Sequence, residues 1–268
     1  MENSEFIKSF DGTKLYMVKN LVENPNAIVV IVHGLGEACN RYEYLAKSFN
    51  NNNFSTYRFD HRGHGRSDGD KGYYKDFNDL IDDVNFVVDL AKSENKNLPI
   101  FLIGHSMGGF GVGAFGTKYP NKVTGIITTG GLTRDTGHAI DSIPVGLDPH
   151  TYMSNDMTDM ICTDKAVVEA YRSDPLVLKE ISAGLYYELG KGIKWLIENK
   201  ECFKDPVLIL HGKDDKLISC QDSKDFFASI SSVDKQIKIY DNLYHEILNE
   251  PCRDNIISYI SDWIKLHL

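Results

Sequence analysis

Cysteine is scarce in this chain and carries no pattern. Among 268 residues there are five, Cys39, Cys162, Cys202, Cys220 and Cys252, an odd number scattered without a C-x-x-C. That excludes a disulfide framework and a zinc site built on paired thiols, and it reads as free thiols in a reducing compartment. No histidine cluster has metal-ligand spacing, so neither a metal nor a cofactor is expected. Positive charge is also in deficit: 29 Lys and Arg against 38 Asp and Glu leave a formal net charge of −9. Such a chain lacks the electrostatic footprint for nucleic acid or for an anionic membrane surface. No apolar run approaches the length of a membrane span, and the opening Met1-Glu2-Asn3-Ser4-Glu5 has no basic stretch followed by an apolar one. The expectation is a cytoplasmic protein without a transmembrane segment or a nucleic-acid partner. Internal repeats are missing too.

What is present is concentrated in a few places. Gly104-His105-Ser106-Met107-Gly108-Gly109 follows the apolar run Pro99-Ile100-Phe101-Leu102-Ile103. This is G-x-S-x-G between a buried strand and a helix, a nucleophile elbow in which a sharp turn holds the serine hydroxyl clear of its neighbours. A bare G-x-S-x-G is common by chance, so the remaining chemistry has to be found elsewhere in the chain. In an α/β-hydrolase the acid and the histidine follow the serine, each on a loop after a later strand. Pro206-Val207-Leu208-Ile209-Leu210 runs into His211-Gly212-Lys213-Asp214-Asp215, and Gln236-Ile237-Lys238-Ile239-Tyr240 into Asp241-Asn242-Leu243-Tyr244-His245. Asp215, three residues after Gly212, is the preferred acid and Asp214 the alternative. His245 is preferred as base over His267, which lies one residue from the last on an amphipathic helix. Upstream, Ala27-Ile28-Val29-Val30-Ile31-Val32 ends in His33-Gly34-Leu35-Gly36-Glu37. Its turn would offer the N–H of Leu35 as one oxyanion donor, with that of Met107 as the other; glycines serving only a tight turn are the plainer reading.

The wider pattern is strand alternating with helix. Strands are expected at 6–10 and 14–18 around the Asp11-Gly12-Thr13 turn, then at 27–32, 54–59, 100–103 and 123–129, with helices at 41–50, 77–91 and after the elbow. This alternation predicts an α/β fold, a mostly parallel central sheet flanked by helices. Between 132 and 202 no strong buried-strand pattern occurs, and helices are expected near 165–171 and 181–198. The chain is therefore divided into a first core part at 1–131, an inserted, mainly helical cap at 132–202, and a second core part at 203–268. Ile256, Ile257, Ile260, Trp263 and Ile264 have helical spacing for one buried face of a final helix. In the cap, Met153, Met157, Met160 and Ile161 recur at three to four residues and would share a face if that segment is helical. Methionine adapts its shape, so this face would line an acyl-chain tunnel or touch a lipid surface transiently; the alternative is packing of the cap onto the core.

With these residues in place the chain resembles the monoacylglycerol lipase and lysophospholipase branch of the α/β-hydrolases. The resemblance runs from about residue 10 onward and rests on His33-Gly34-Leu35-Gly36-Glu37 with Arg41-Tyr42-Glu43, on 60–69 (Asp-His-Arg-Gly-His-Gly-Arg-Ser-Asp-Gly), on the elbow, on Asp174-Pro175-Leu176 and on Tyr244-His245-Glu246-Ile247. It implies an α/β-hydrolase fold and a serine esterase acting on a small lipid ester, with monoacylglycerol preferred and a lysophospholipid or generic ester as alternative. Glu37 and Arg41 match residues at the head-group end of the family's pocket, so the resemblance implies that they help to hold glycerol; the alternative is a local ion pair at the start of a helix. Two departures concern the same end: Ala38 and Leu248 stand where the family often has polar residues. A catalytically silent α/β-hydrolase that binds a ligand is the competing class, and the loss of a triad member would favour it; all three are present.

Overall fold

The structure, a computed structural model, describes residues 2–268. Asp11-Gly12-Thr13 turns the chain between β1 (Glu2–Lys8) and β2 (Lys14–Asn20), which pair antiparallel. The β-branched run forms β3 (Ala27–Val32), all of it buried. There follow α1 (Glu43–Asn51), β4 (Phe54–Phe59), α2 (Asn78–Glu94), β5 (Ile100–His105), α3 (Met107–Lys118) and β6 (Gly125–Thr129). The segment 132–202 adds no strand to the central sheet. It carries β7 (Tyr152–Ser154), α4 (Lys165–Ser173), β8 (Glu180–Ser182) and α5 (Ala183–Glu198). The two short strands pair with each other, Met153 opposite Ile181; three residues are too few for a period of two to show in a sequence. Both helices open on an N-cap, Asp164 accepting from the Ala166 N–H and Ser182 from the Leu185 N–H. The chain then returns to the sheet through β9 (Val207–Gly212), α6 (Cys220–Ser229), β10 (Lys235–Tyr240) and α7 (Arg253–Leu266).

The strands lie in the order β1-β2-β4-β3-β5-β6-β9-β10. From β4 to β10 every neighbouring pair is parallel, and only β1 with β2 and β2 with β4 run antiparallel. A parallel sheet needs cover on both faces, which is why β3 reads as a continuous apolar run. Its Ile28, Val30 and Val32 join a core with Leu80, Val84 and Val87 of α2 and Phe110 of α3. Val29 and Ile31 join the opposite core with Leu45 and Phe49 of α1 and the Ile256, Ile257, Ile260, Trp263 and Ile264 stripe of α7. Element ends differ from expectation by a few residues: the helix expected at 41–50 begins as a 3-10 turn over Cys39–Tyr42, and β6 starts at Gly125. No helix among the described residues is long and apolar enough to cross a membrane.

Strand order reverses at β3, with β4 on one side and β5 on the other. At such a switch point the loops leaving the carboxyl ends diverge and open a crevice. Leu35 follows β3, Ser106 follows β5, Asp215 follows β9 and His245 follows β10, so all four arrive at the same edge of the sheet.

Candidate active site

Ser106 sits at φ 55°, ψ −119°, between β5 and α3. A non-glycine residue rarely takes positive φ, and here the turn is over-determined by its bonds. The Ser106 N–H donates to Thr129 O at 3.0 Å, while Ser106 O accepts from the Phe110 and Leu132 N–H groups, each at 3.1 Å. The flanking glycines are sterically required. A Cβ on Gly104 would fall 2.2 Å from Gly108 O, and one on Gly108 would fall 2.2 Å from Val32 O. Met107 is the first residue of α3, so its N–H has no partner within the helix and points out of the positive end.

The candidate acid and the candidate base lie within hydrogen-bond reach of each other. The His245 Nδ1–H donates to Asp215 Oδ2 at 2.6 Å. The other carboxylate oxygen, Oδ1, accepts from the Leu217 and Ile218 N–H groups at 2.8 and 3.0 Å. The Asp215 side chain is fully buried, whereas Asp214 is exposed. His267 lies at the far end of α7, bonded to Trp263 O and Asp234. Burial would push the Asp215 carboxyl up, yet His245 and His211 hold it well below the usual carboxylate range. Burial opposes charge on His245, but the Asp215 carboxylate outweighs it and raises the imidazole above its ordinary value. His105, tilted against His245 with ring centroids 4.6 Å apart, is pushed down to about 4 by burial and by its charged neighbour. A base must be neutral to accept a proton, so activity is expected to rise with pH through an apparent pKa above about 6.5. A flat kcat/KM profile from pH 5 to 8, with chemistry rate-limiting, would exclude His245 as the base.

Ser106, His245, Leu35 and Met107 all line one cavity of about 500 Å³. Glu37, His105, Tyr171 and Glu246 line it beside the histidine; the rest of the wall is mainly apolar, with Leu132, Ile140, Ile143, Met157, Met160, Ile161, Leu217 and Ile218, interrupted by His138, Ser142 and Lys216. Residues of the 132–202 segment thus supply much of the apolar wall. Met153 does not contribute. No single helix carries the methionines: Met153 lies in β7, paired with Ile181, while Met157 precedes and Met160 ends a 3-10 turn at Thr158–Met160.

Arg41 also stands outside the cavity wall. It is drawn behind it by two carboxylates, donating to Glu37 Oε2 at 2.7 Å and to both oxygens of Glu246 at 2.7 and 2.8 Å, with its guanidinium over the Tyr171 ring at 4.7 Å. The local ion pair weighed as an alternative is therefore present. Glu37 faces the cavity but is fully engaged, accepting from the Gly34 N–H at 2.7 Å and the Tyr42 hydroxyl at 2.8 Å as well. Burial acts against its charge, and Arg41 restores it, holding the carboxyl below its ordinary value. Through these bonds Arg41 ties the Leu35 loop to the His245 loop. Glu246 as the second partner of Arg41 was not read from the sequence, although its place directly after His245 was a usable signal. His211, which donates from Nε2 to Asp215 Oδ2 at 3.0 Å, was also missed.

A family model described as "Serine aminopeptidase, S33" matches residues 23–252. The chain is 32% identical over 253 residues to a protein of Mycolicibacterium smegmatis named monoacylglycerol lipase, covering 91% of this chain and 90% of that one. It is 31% identical over 243 residues to the phospholipase YtpA of Bacillus subtilis, covering 87% and 93%. Among solved structures, the monoacylglycerol lipase of Paleococcus ferrophilus superposes with a TM-score of 0.82 at 26% identity, covering 95% of this chain and 99% of that one. The matched span contains the elbow and both later loops, and the sheet order is accounted for by the same architecture: this chain belongs to the serine aminopeptidase S33 family of α/β-hydrolases.

Proposed function

We propose that the protein hydrolyses carboxylic esters of lipids, with monoacylglycerol as preferred substrate, glycerol and a fatty acid as products, and Ser106, His245 and Asp215 as the catalytic residues. The observation that carries this reading is the 2.6 Å bond from His245 to a buried Asp215, in a cavity whose wall also holds Ser106 at its strained turn. Ser106 Oγ attacks the ester carbonyl as His245 takes its proton; the N–H groups of Leu35 and Met107 receive the oxyanion. Collapse expels glycerol, protonated by His245, and leaves an acyl-enzyme. A water deprotonated by His245 then attacks the acyl group and releases the fatty acid. Support for the lipid class comes from the mainly apolar wall and from the relative named monoacylglycerol lipase. In this reading 132–202 is a cap between core parts 1–131 and 203–268, set over the site and able to touch a lipid surface transiently. The five free thiols suit a cytoplasmic setting.

A lysophospholipid is the second reading, favoured by the relative named phospholipase. Purified protein given monoacylglycerols, lysophospholipids and p-nitrophenyl esters of matched chain length separates the two. Turnover of monoacylglycerols should exceed that of lysophospholipids and climb with chain length, because each buried methylene is worth about 0.8 kcal/mol. No turnover of any ester, together with no labelling of Ser106 by a fluorophosphonate, would leave a silent binding protein instead.

A further inference from the structure

Asp215 serves two histidines. His245 donates to its Oδ2 from one side at 2.6 Å and His211 donates to the same oxygen from the other at 3.0 Å. His211 lies on β9, four residues before the acid, and its side chain is fully buried. Its Nε2 has two acceptors in reach, Asp215 Oδ2 and Ile218 O at 3.1 Å, so Nε2 carries the hydrogen. Nδ1 then accepts from the Ser223 hydroxyl of α6 at 2.7 Å. This leaves one tautomer with every polar atom of the ring satisfied. With the two backbone N–H groups on Oδ1, the carboxylate accepts four hydrogen bonds.

We propose that His211 is a positioning residue for the reaction proposed above: held by Ser223, its Nε2–H fixes the aim of the Asp215 carboxylate and draws off part of the charge that Asp215 presents to His245. A buried carboxylate facing a single imidazole would hold it strongly as imidazolium, and a protonated histidine is useless as a base at neutral pH. A second donor on the same oxygen moderates that pull, while hydroxyl donation into Nδ1 makes the opposite N–H a better donor. The other groups facing His245 are His105 from β5, Glu37 from the loop after β3 and its own neighbour Glu246; the charge facing His211 besides Asp215 is Asp222 of α6. None of these donates to Asp215, so the second hydrogen bond on Oδ2 comes from His211.

The test follows the imidazole itself. With histidine ring carbons labelled and the His245 resonance assigned by its loss in His245→Gln, the titration midpoint is read by NMR in the wild type, His211→Leu, His211→Gln and Ser223→Ala. Removing the donor in His211→Leu should move the His245 midpoint up by about half a pH unit. Glutamine, which again offers an N–H to Asp215 and a carbonyl to Ser223, should bring it back, and Ser223→Ala should give a smaller rise. In ester hydrolysis the deficit of His211→Leu should widen as pH falls, which a merely structural loss would not do. An unchanged or lowered midpoint in folded His211→Leu and Ser223→Ala overturns the inference; if the leucine variant does not fold, Ser223→Ala decides it. A wild type that neither hydrolyses esters nor reacts with a fluorophosphonate sinks the hydrolase reading, while the titration still decides the role of His211.

Discussion

Ser106→Ala and His245→Ala are each expected to lower ester turnover by about a million-fold, because residues that act as one catalytic unit lose nearly everything when either is removed. Asp215→Asn should cost on the order of ten-thousand-fold. The hydrogen bonds show why so small a change is so damaging. Both oxygens of Asp215 accept from donors on every side: His245, His211, and the N–H groups of Leu217 and Ile218. An asparagine amide in that cage must turn its own NH2 toward a donor in either orientation, or force His245 into the tautomer that cannot take a proton from Ser106. Asp214→Asn, on an exposed side chain one residue away, should stay within a few-fold of wild type. Steady-state kinetics on a p-nitrophenyl ester, with thermal melts to verify folding, check all four variants. Full activity in Asp215→Asn with collapse in Asp214→Asn would mean that the acid has been misassigned.

The legible parts of this protein were those in which one local rule acts alone. A run of β-branched residues buried on both faces is hard to mistake: β3 occupies its expected span, and β9 is present at Val207–Gly212, running two residues further than the apolar run that predicts it. The final helix was legible for the same reason, since Ile256 to Ile264 keep one period throughout. The elbow could be read because backbone geometry dictates glycine at 104 and 108, where a Cβ would strike Gly108 O and Val32 O. Illegible were the features decided by tertiary pairing. Met153 shares its spacing with Met157 and Met160, but pairing with Ile181 in a three-residue strand takes it elsewhere. Arg41 was read against Glu37 alone, since an i,i+4 pair is local; Glu246, 205 residues away, completes the site only in three dimensions. His211 has no assigned role in the sequence because its partners, Asp215 and Ser223, come together only when α6 folds back on β9.

Arg41→Ala is expected to destabilise the protein by about 3–5 kcal/mol at neutral pH, as removing one member of a buried ionic cluster does. Glu37 and Glu246 are each about 4% exposed, and Arg41 is the cation between them. Without it, two carboxylates face one another in a desolvated pocket, and the Gly34 and His245 loops that they anchor lose their common tie. The sign of the pH dependence follows. In the wild type the Glu37 carboxyl lies below its unfolded value of 4.5, so its contribution is present above that value and is lost as pH falls through the folded one. In the variant burial is no longer offset, the Glu37 carboxyl rises above its unfolded value, and protonation relieves the strain. The deficit should therefore be full at pH 7.5 and shrink as pH falls toward 5. Urea unfolding of both proteins at the two pH values measures it. Replacing the cluster as a whole, with Arg41→Met, Glu37→Gln and Glu246→Gln together, should recover part of the lost stability without restoring activity, because apolar and neutral groups tolerate burial but the Gly34 N–H would lose the charged acceptor that shapes the turn into Leu35. A deficit below about 1 kcal/mol, or one that does not depend on pH, would show that the cluster is tolerated rather than required, and that the two loops are held in place by the packing of α1 and α7 beneath them.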